Sequence, residues 1–150
     1  MERIDLKILD LLQRDSSCTN AALAEAVGLS PSTCLRRVRR LVSSGVVSKV
    51  VAILDPAKVG KALKAIVTVE LKSHGEEEMR RFLALAKAEP AVTQAYAVTG
   101  SNDVLLILRI ADMDEFDAFC ERVFRDRTNV ARFHTMVVLR TAKDETALAL

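Results

Sequence analysis

Over the first part of the chain the apolar positions recur with a helical period. Ile4, Ile8, Leu11 and Leu12 form a stripe, with Arg3, Asp5, Lys7, Asp10 and Arg14 between them, which predicts an amphipathic helix. The polar residues 15–19 end it. A second short helix is expected through NAALAEAV, with Thr19 as its N-cap and Gly28 as its stop. Ser30-Pro31 opens a third. The serine caps, and a proline at the first helical position forfeits no hydrogen bond. This helix is expected to reach about Ser44 and to end at Gly45. Two helices joined by a tight, glycine-containing turn have the spacing of a helix-turn-helix.

After Gly45 the pattern changes. Residues 46–54 are rich in β-branched side chains and are expected to be extended, as a wing or a bridging strand. Asp55, Pro56 and Gly60 then punctuate a linker, which divides the chain into a domain over residues 1–60 and another over 61–150. The second domain alternates strand and helix. Strands are expected at 63–72, 92–99, 104–111 and 130–142, and helices at 76–88 and 113–126. Met79, Phe82, Leu83 and Ala86 give the first of these helices an apolar face; Phe116, Phe119, Cys120, Val123 and Phe124 do so for the second. The order βαββαβ is that of a ferredoxin-like α+β sandwich with both helices on one face of the sheet. In VLLILRIA, Val104, Leu106, Leu108 and Ile110 make one apolar face, but Leu105 and Ile107 make the other apolar too. A strand greasy on both sides is either just an apolar central strand or one whose helix-free face is covered, most simply by a second copy; the second reading is favoured, so a homodimer is expected.

Composition sharpens this picture. Half of the 150 residues are hydrophobic, enough for packed cores, and no apolar run is long enough to cross a bilayer. The charged, mixed N-terminus is unlike a signal peptide, and Cys18, Cys34 and Cys120 form no Cys-x-x-Cys pair. A cytoplasmic protein without disulfide framework, cofactor or zinc site is expected; His74 and His134 have no ligand-spaced partners. The net charge of +2 is unevenly divided. Residues 1–60 carry nine Lys/Arg and six Asp/Glu, and residues 61–150 carry thirteen and fourteen. A basic first half points to a polyanion at that end only.

The basic residues concentrate in the third helix. Thr33, Arg36, Arg37 and Arg40 fall at i, i+3, i+4 and i+7, predicting one exposed stripe opposite an apolar face of Leu35, Val38, Leu41 and Val42. A helix fits the major groove of DNA, where Arg can grip guanine with two hydrogen bonds. Residues near the start of such a helix usually meet the bases. Ser32, Thr33, Arg36 and Arg37 are thus expected to read bases, with Ser30 capping beside them and Arg39 and Arg40 on phosphates. The other reading, a merely solvated face, fits less well, because solvated faces usually mix signs and no acid lies between Glu25 and Asp55.

IDLKILDLLQRD, TNAALAEAVGLSPSTCLRRVRRL and GVVSKVVAILDPAKVG resemble the N-terminal module of the Lrp/AsnC (leucine-responsive, feast/famine) family of transcription regulators. YAVTGSNDVLLIL and RFHTMVVLRTAKDETALAL resemble the Gly-x-x-Asp segment and the last strand of that family's regulatory domain. The resemblance spans essentially the whole chain. It departs from the common pattern at Ser16-Ser17, at Val104 and at Lys49, which stands where a glycine is common and is expected from that comparison to add a phosphate contact. It implies a DNA-binding regulator tuned by a small molecule, an amino acid, and an assembly of dimers into an octamer. It also implies an effector site at Thr99, Gly100 and Asp103, with Ser101 and Asn102 in the same loop and Thr135 on the last strand. On residues alone the loop reads first as a hairpin turn in which Asp103 bonds its own backbone, and it is the resemblance that favours the effector site. Siroheme decarboxylases resemble the same two halves, which leaves an enzyme as the alternative; the sequence has no nucleophile–base pair or phosphate loop to support it.

Overall fold

The computed structural model describes residues 1–73, 75–125 and 128–150. They form two compact units, Met1–Ile53 together with Ala142–Leu150, and Leu54–Thr141. The division falls a few residues before the expected one, and the tail expected to complete the sheet domain groups with the helical unit.

The helical unit contains α1 (Arg3–Arg14), α2 (Asn20–Val27) and α3 (Pro31–Ser43). The expected caps are present. Thr19 accepts from the Ala22 N–H and Ser30 from the Thr33 N–H, while Gly28 closes α2 in the left-handed region at φ 71°. The core is Ile8, Leu9, Leu23, Ala24, Cys34 and Leu41. This corrects the expected inner face of α3. Leu35 and Val42 are 37% and 49% exposed, and Cys34 takes the buried position instead. Residues 46–54 pair with no strand among the described residues, and Val50, Val51 and Ile53 stand exposed. The tail is clasped to α1 by one side-chain amide: Gln13 Nε2 donates to the Leu148 carbonyl at 2.7 Å, and Gln13 Oε1 accepts from the Leu148 N–H at 2.8 Å.

The sheet unit follows the expected order: β1 (Leu63–Leu71), α4 (Glu76–Ala88), β2 (Val92–Ala97), β3 (Val104–Ile110), α5 (Met113–Val123) and β4 (Val130–Val137). The strands lie β2-β3-β1-β4, each pair antiparallel. Ala65, Val67, Val69 and Leu71 of β1 alternate inward with Val104, Leu106, Leu108 and Ile110 of β3, and Phe82, Ala86, Phe119 and Val123 from the two helices cover them. Phe119 makes an edge contact with Phe124, which stacks on Phe133 at 4.2 Å between centroids. Helix α5 ends at Val123, short of the expected residue 126, which lies outside the described residues. The other sheet face carries half-buried Ile66, Leu105 and Ile107, with Tyr96 49% and Met136 50% exposed. Asp112 caps α5, and Lys61 Nζ reaches both Glu115 carboxylate oxygens at 2.6 and 2.8 Å, fixing the start of β1 to that helix.

Candidate nucleic-acid interface and effector loop

Helix α3 presents its arginines in two classes. Arg36 and Arg39 are exposed, and neither has an acidic partner among the described residues. Arg37 and Arg40 are instead turned onto α1. Arg37 Nη1 donates to Asp5 Oδ1 at 2.9 Å and its Nη2 lies 3.0 Å from Glu2 Oε2; Arg40 Nη2 donates to Asp5 Oδ2 at 2.7 Å. Arg37 is 21% exposed and Arg40 56%. The stripe expected to face outward as a unit is therefore split. Arg37, read from the sequence as a base contact, is occupied by two carboxylates, and its Nε is buried without an acceptor. At the helix start, Ser30 Oγ accepts from the Thr33 N–H at 3.3 Å and donates to Thr33 Oγ1 at 2.9 Å, while Ser32 is exposed beside it. Lys49 is exposed beyond the end of α3.

Asp5 was not among the expected site residues. It is 1% exposed, the one buried charged side chain among the described residues. Burial alone would raise its pKa. The hydrogen bond from Arg37, the backbone N–H of Glu2 and the charges of Arg40 and Arg37 together outweigh burial and hold it below the ordinary aspartate value. The same contacts, Glu2 first, push Arg37 above the ordinary guanidinium value. A sequence signal for Asp5 exists: it lies three and four residues before Ile8 and Leu9, on the apolar face of α1.

Residues 99–103 connect β2 to β3. Gly100 has φ 119°, in the region that favours glycine, and Thr99, Gly100 and Ser101 are exposed. Asn102 Nδ2 lies 3.3 Å from Ser101 Oγ. Asp103 works as a frame for the sheet end. Its N–H donates to Val69 O, its carbonyl accepts from the Val98 N–H, and its Oδ2 accepts from the Leu71 N–H at 2.8 Å, beside the irregularity in β1 at Glu70/Leu71. The carboxylate thus ties β3 to β1, a longer-range bond than the local turn bond considered from the sequence. Thr135 on β4 pairs with Val67 of β1, so β1 separates it from β3; its hydroxyl is buried without a partner. Within one chain it does not join the loop.

No three His, Cys, Asp or Glu side chains converge as a metal site among the described residues, and His74 lies outside them. His134 is exposed on β4, across from Thr68. Burial, then the Asp117 charge, pushes the Cys120 thiol up to about 11, which keeps it protonated and inert at neutral pH.

Comparison with known proteins matches both halves. A family model described as winged helix-turn-helix DNA-binding matches residues 1–48, and one described as the Lrp/AsnC ligand binding domain matches residues 64–148. The glutamate uptake regulatory protein of Zymomonas mobilis is 33% identical over 150 residues, covering all of this chain and 91% of its own. The crystal structure of an AsnC family transcriptional regulator from Agrobacterium tumefaciens superposes with a TM-score of 0.94 at 34% identity, over 99% of this chain and 97% of that one. A transcriptional regulator from Neisseria meningitidis in complex with L-Met gives 0.93 at 33% identity, over 99% and 96%.

Proposed function

Because the chain belongs to the Lrp/AsnC family, and is thus a DNA-binding transcription regulator with a small-molecule domain, we propose that α3 is its reading helix and residues 99–103 its effector loop. Arg36 reads base edges together with Ser32 and Thr33, and Ser30 holds the helix start in shape. Arg39, Lys49 and the exposed part of Arg40 bind phosphates. The observation that carries this reading is the pair Arg36 and Arg39, exposed without an acid to neutralise them on a well-capped helix.

The effector is an amino acid, a reading supported by the L-Met complex of the Neisseria relative. The exposed backbone of Thr99, Gly100 and Ser101 suits a carboxylate, with Asn102 and Asp103 fixing the loop and Asp103 offering charge toward an ammonium. The open loop gains its remaining wall from another copy; Thr135, its hydroxyl buried on the helix-covered side of β4, stays outside that wall. Homodimers form through the apolar helix-free sheet face, where Tyr96 and Met136 are half exposed, and four dimers make the octamer. A dimer sets two reading helices roughly 34 Å apart, one turn of DNA. The effector changes operator affinity only through its different affinity for the two assembly states. Duplex DNA as partner supports the reading of a cytoplasmic protein; no described helix is long and apolar enough to cross a membrane.

The test is fluorescence anisotropy with the duplex from upstream of the protein's own gene. Arg36→Ala is expected to weaken binding by about 1–3 kcal/mol and to relax base preference, whereas Arg39→Ala should weaken all sequences alike and flatten the salt slope by about one. Unchanged binding in the Arg36→Ala/Arg39→Ala double variant would remove α3 from the interface.

A further inference from the structure

We propose that Asp5 is a positioning residue for DNA recognition, setting the roll of α3, withholding Arg37 from DNA and aiming Arg40 at it. The inference rests on α3 being the reading helix. Burying a carboxylate is costly unless it is paired, and an apolar residue at position 5 would pack beside Ile8 and Leu41 without that cost. What the acid supplies is direction. Arg37 and Arg40 are three residues apart, so they project from nearly the same side of α3, and each bonds a different oxygen of the one carboxylate. Two such bonds to a sealed group resist rotation of α3 about its axis in a way that apolar contact does not.

The rotation they fix has a consequence for the neighbours. Each residue advances about 100° around a helix. Arg36 and Arg39 each precede one of the held arginines by one position, so both are displaced by the same angle and to the same side. Fixing Arg37 and Arg40 therefore points Arg36 and Arg39 outward as a matched pair. The charge follows the geometry. Glu2 and Asp5 offset Arg37 and Arg40, and the uncompensated positive charge of α3 resides on Arg36 and Arg39. Arg40 is intermediate: one nitrogen is anchored on Asp5, and the side chain borders an open cleft of about 370 Å³ that Glu2, Leu41, Ser44 and Val46 also line. Because Asp5 and Glu2 also line that cleft, it is the 56% exposed part of Arg40 turned to solvent that is left for phosphate while Asp5 holds one nitrogen.

The test compares full-length wild type with Asp5→Asn, which keeps the shape and removes the charge, on the upstream duplex and on a random duplex of equal length. With Arg37 and Arg40 released, the salt slope on random DNA should steepen by about one, and the preference for the upstream duplex should fall about tenfold. In Asp5→Asn/Arg37→Gln, which removes the surplus cation, the slope should return to the wild-type value while the preference stays low. If Asp5→Asn does not fold, Glu2→Gln removes only the 60% exposed acid on Arg37 and should steepen the slope in the same direction by less than one. A folded variant that is merely less heat-stable, with wild-type slope and preference, overturns the positioning role and leaves α3 as the reader. Wild type that binds neither duplex overturns both.

Discussion

The two units solve the problem of a small core in opposite ways. All five phenylalanines and the single tyrosine lie in the sheet unit, where Phe82 and Phe119 close the apolar layer and Phe124 stacks on Phe133. The helical unit has no aromatic residue. Its core is a handful of aliphatic side chains and a cysteine, and within it lies a carboxylate gripped by two arginines. Aromatic side chains supply stability through the large area each one buries, with ring pairs in edge and stacked contact. A buried ion pair supplies little net stability but tolerates few arrangements. The unit that has to present side chains at a set angle uses the second device, and the unit that has to hold an open loop on a firm sheet uses the first.

Acid should pull the two apart most strongly. Asp5 is held below its ordinary value in the fold, so its contribution is complete above the unfolded aspartate value of about 3.9 and is lost as pH falls through the lower folded value. Glu115 is also lowered, first by its hydrogen bond from Lys61, but that tie is at the surface and the aromatic core beneath it does not titrate. Below about pH 4 the helical unit is expected to melt first. Because every aromatic residue is in the sheet unit, near-ultraviolet circular dichroism reports on that unit alone, and the far-ultraviolet helix signal should drop before it. A single coincident transition would mean that the carboxylate is not what separates the units.

A smaller effect is expected at Asp103. Removing its carboxylate in Asp103→Ala leaves the N–H of Leu71, a 2% exposed residue, without its acceptor. The near-ultraviolet transition of the sheet unit should lose about 2 kcal/mol and the helical unit none. Calorimetry against the twenty amino acids should show effector affinity falling more than tenfold if the same carboxylate meets an ammonium. Equal stability and equal binding would remove Asp103 from both roles. The smallest effect is expected at Gln13→Ala, which opens the clasp on Leu148. About 0.5 kcal/mol should be lost from the helical unit, with faster hydrogen exchange at the Leu148 amide as the direct readout.

What could be read in the sequence was what short-range patterns encode. The serine and proline before α3, the glycine after α2 and the change from helical period to β-rich runs marked the elements and their order, and β3, apolar on both sides, pointed to two covered sheet faces. The phase of α3 was not settled this way, since Leu35, Val38 and Val42 make as good an apolar stripe as Cys34, Val38 and Leu41. Helices α1 and α2 decide which stripe is buried. The inward turn of Arg37 and Arg40 was hidden for the same reason: their acid lies on another helix, and a run of arginines looks solvated until its partner is placed. Asp103 showed the local half of its role, a turn position before a strand, but its bond to Leu71 joins strands that only the sheet brings together. The pairing of Gln13 with Leu148 left no periodic trace at all.

That pairing makes the helical unit discontinuous in the chain, with the whole sheet unit inserted between its two pieces. On the ribosome the first piece emerges early and residues 142–150 only after the sheet unit has been synthesised. The clasp therefore closes a ring of polypeptide that runs through the sheet unit. Loop closure grows costlier only slowly with length, by about 0.6 kcal/mol per doubling, and a sheet unit already folded shortens the ring further. Vectorial synthesis thus makes the clasp of the tail onto α1 a contact that can form only after the rest of the chain has been made.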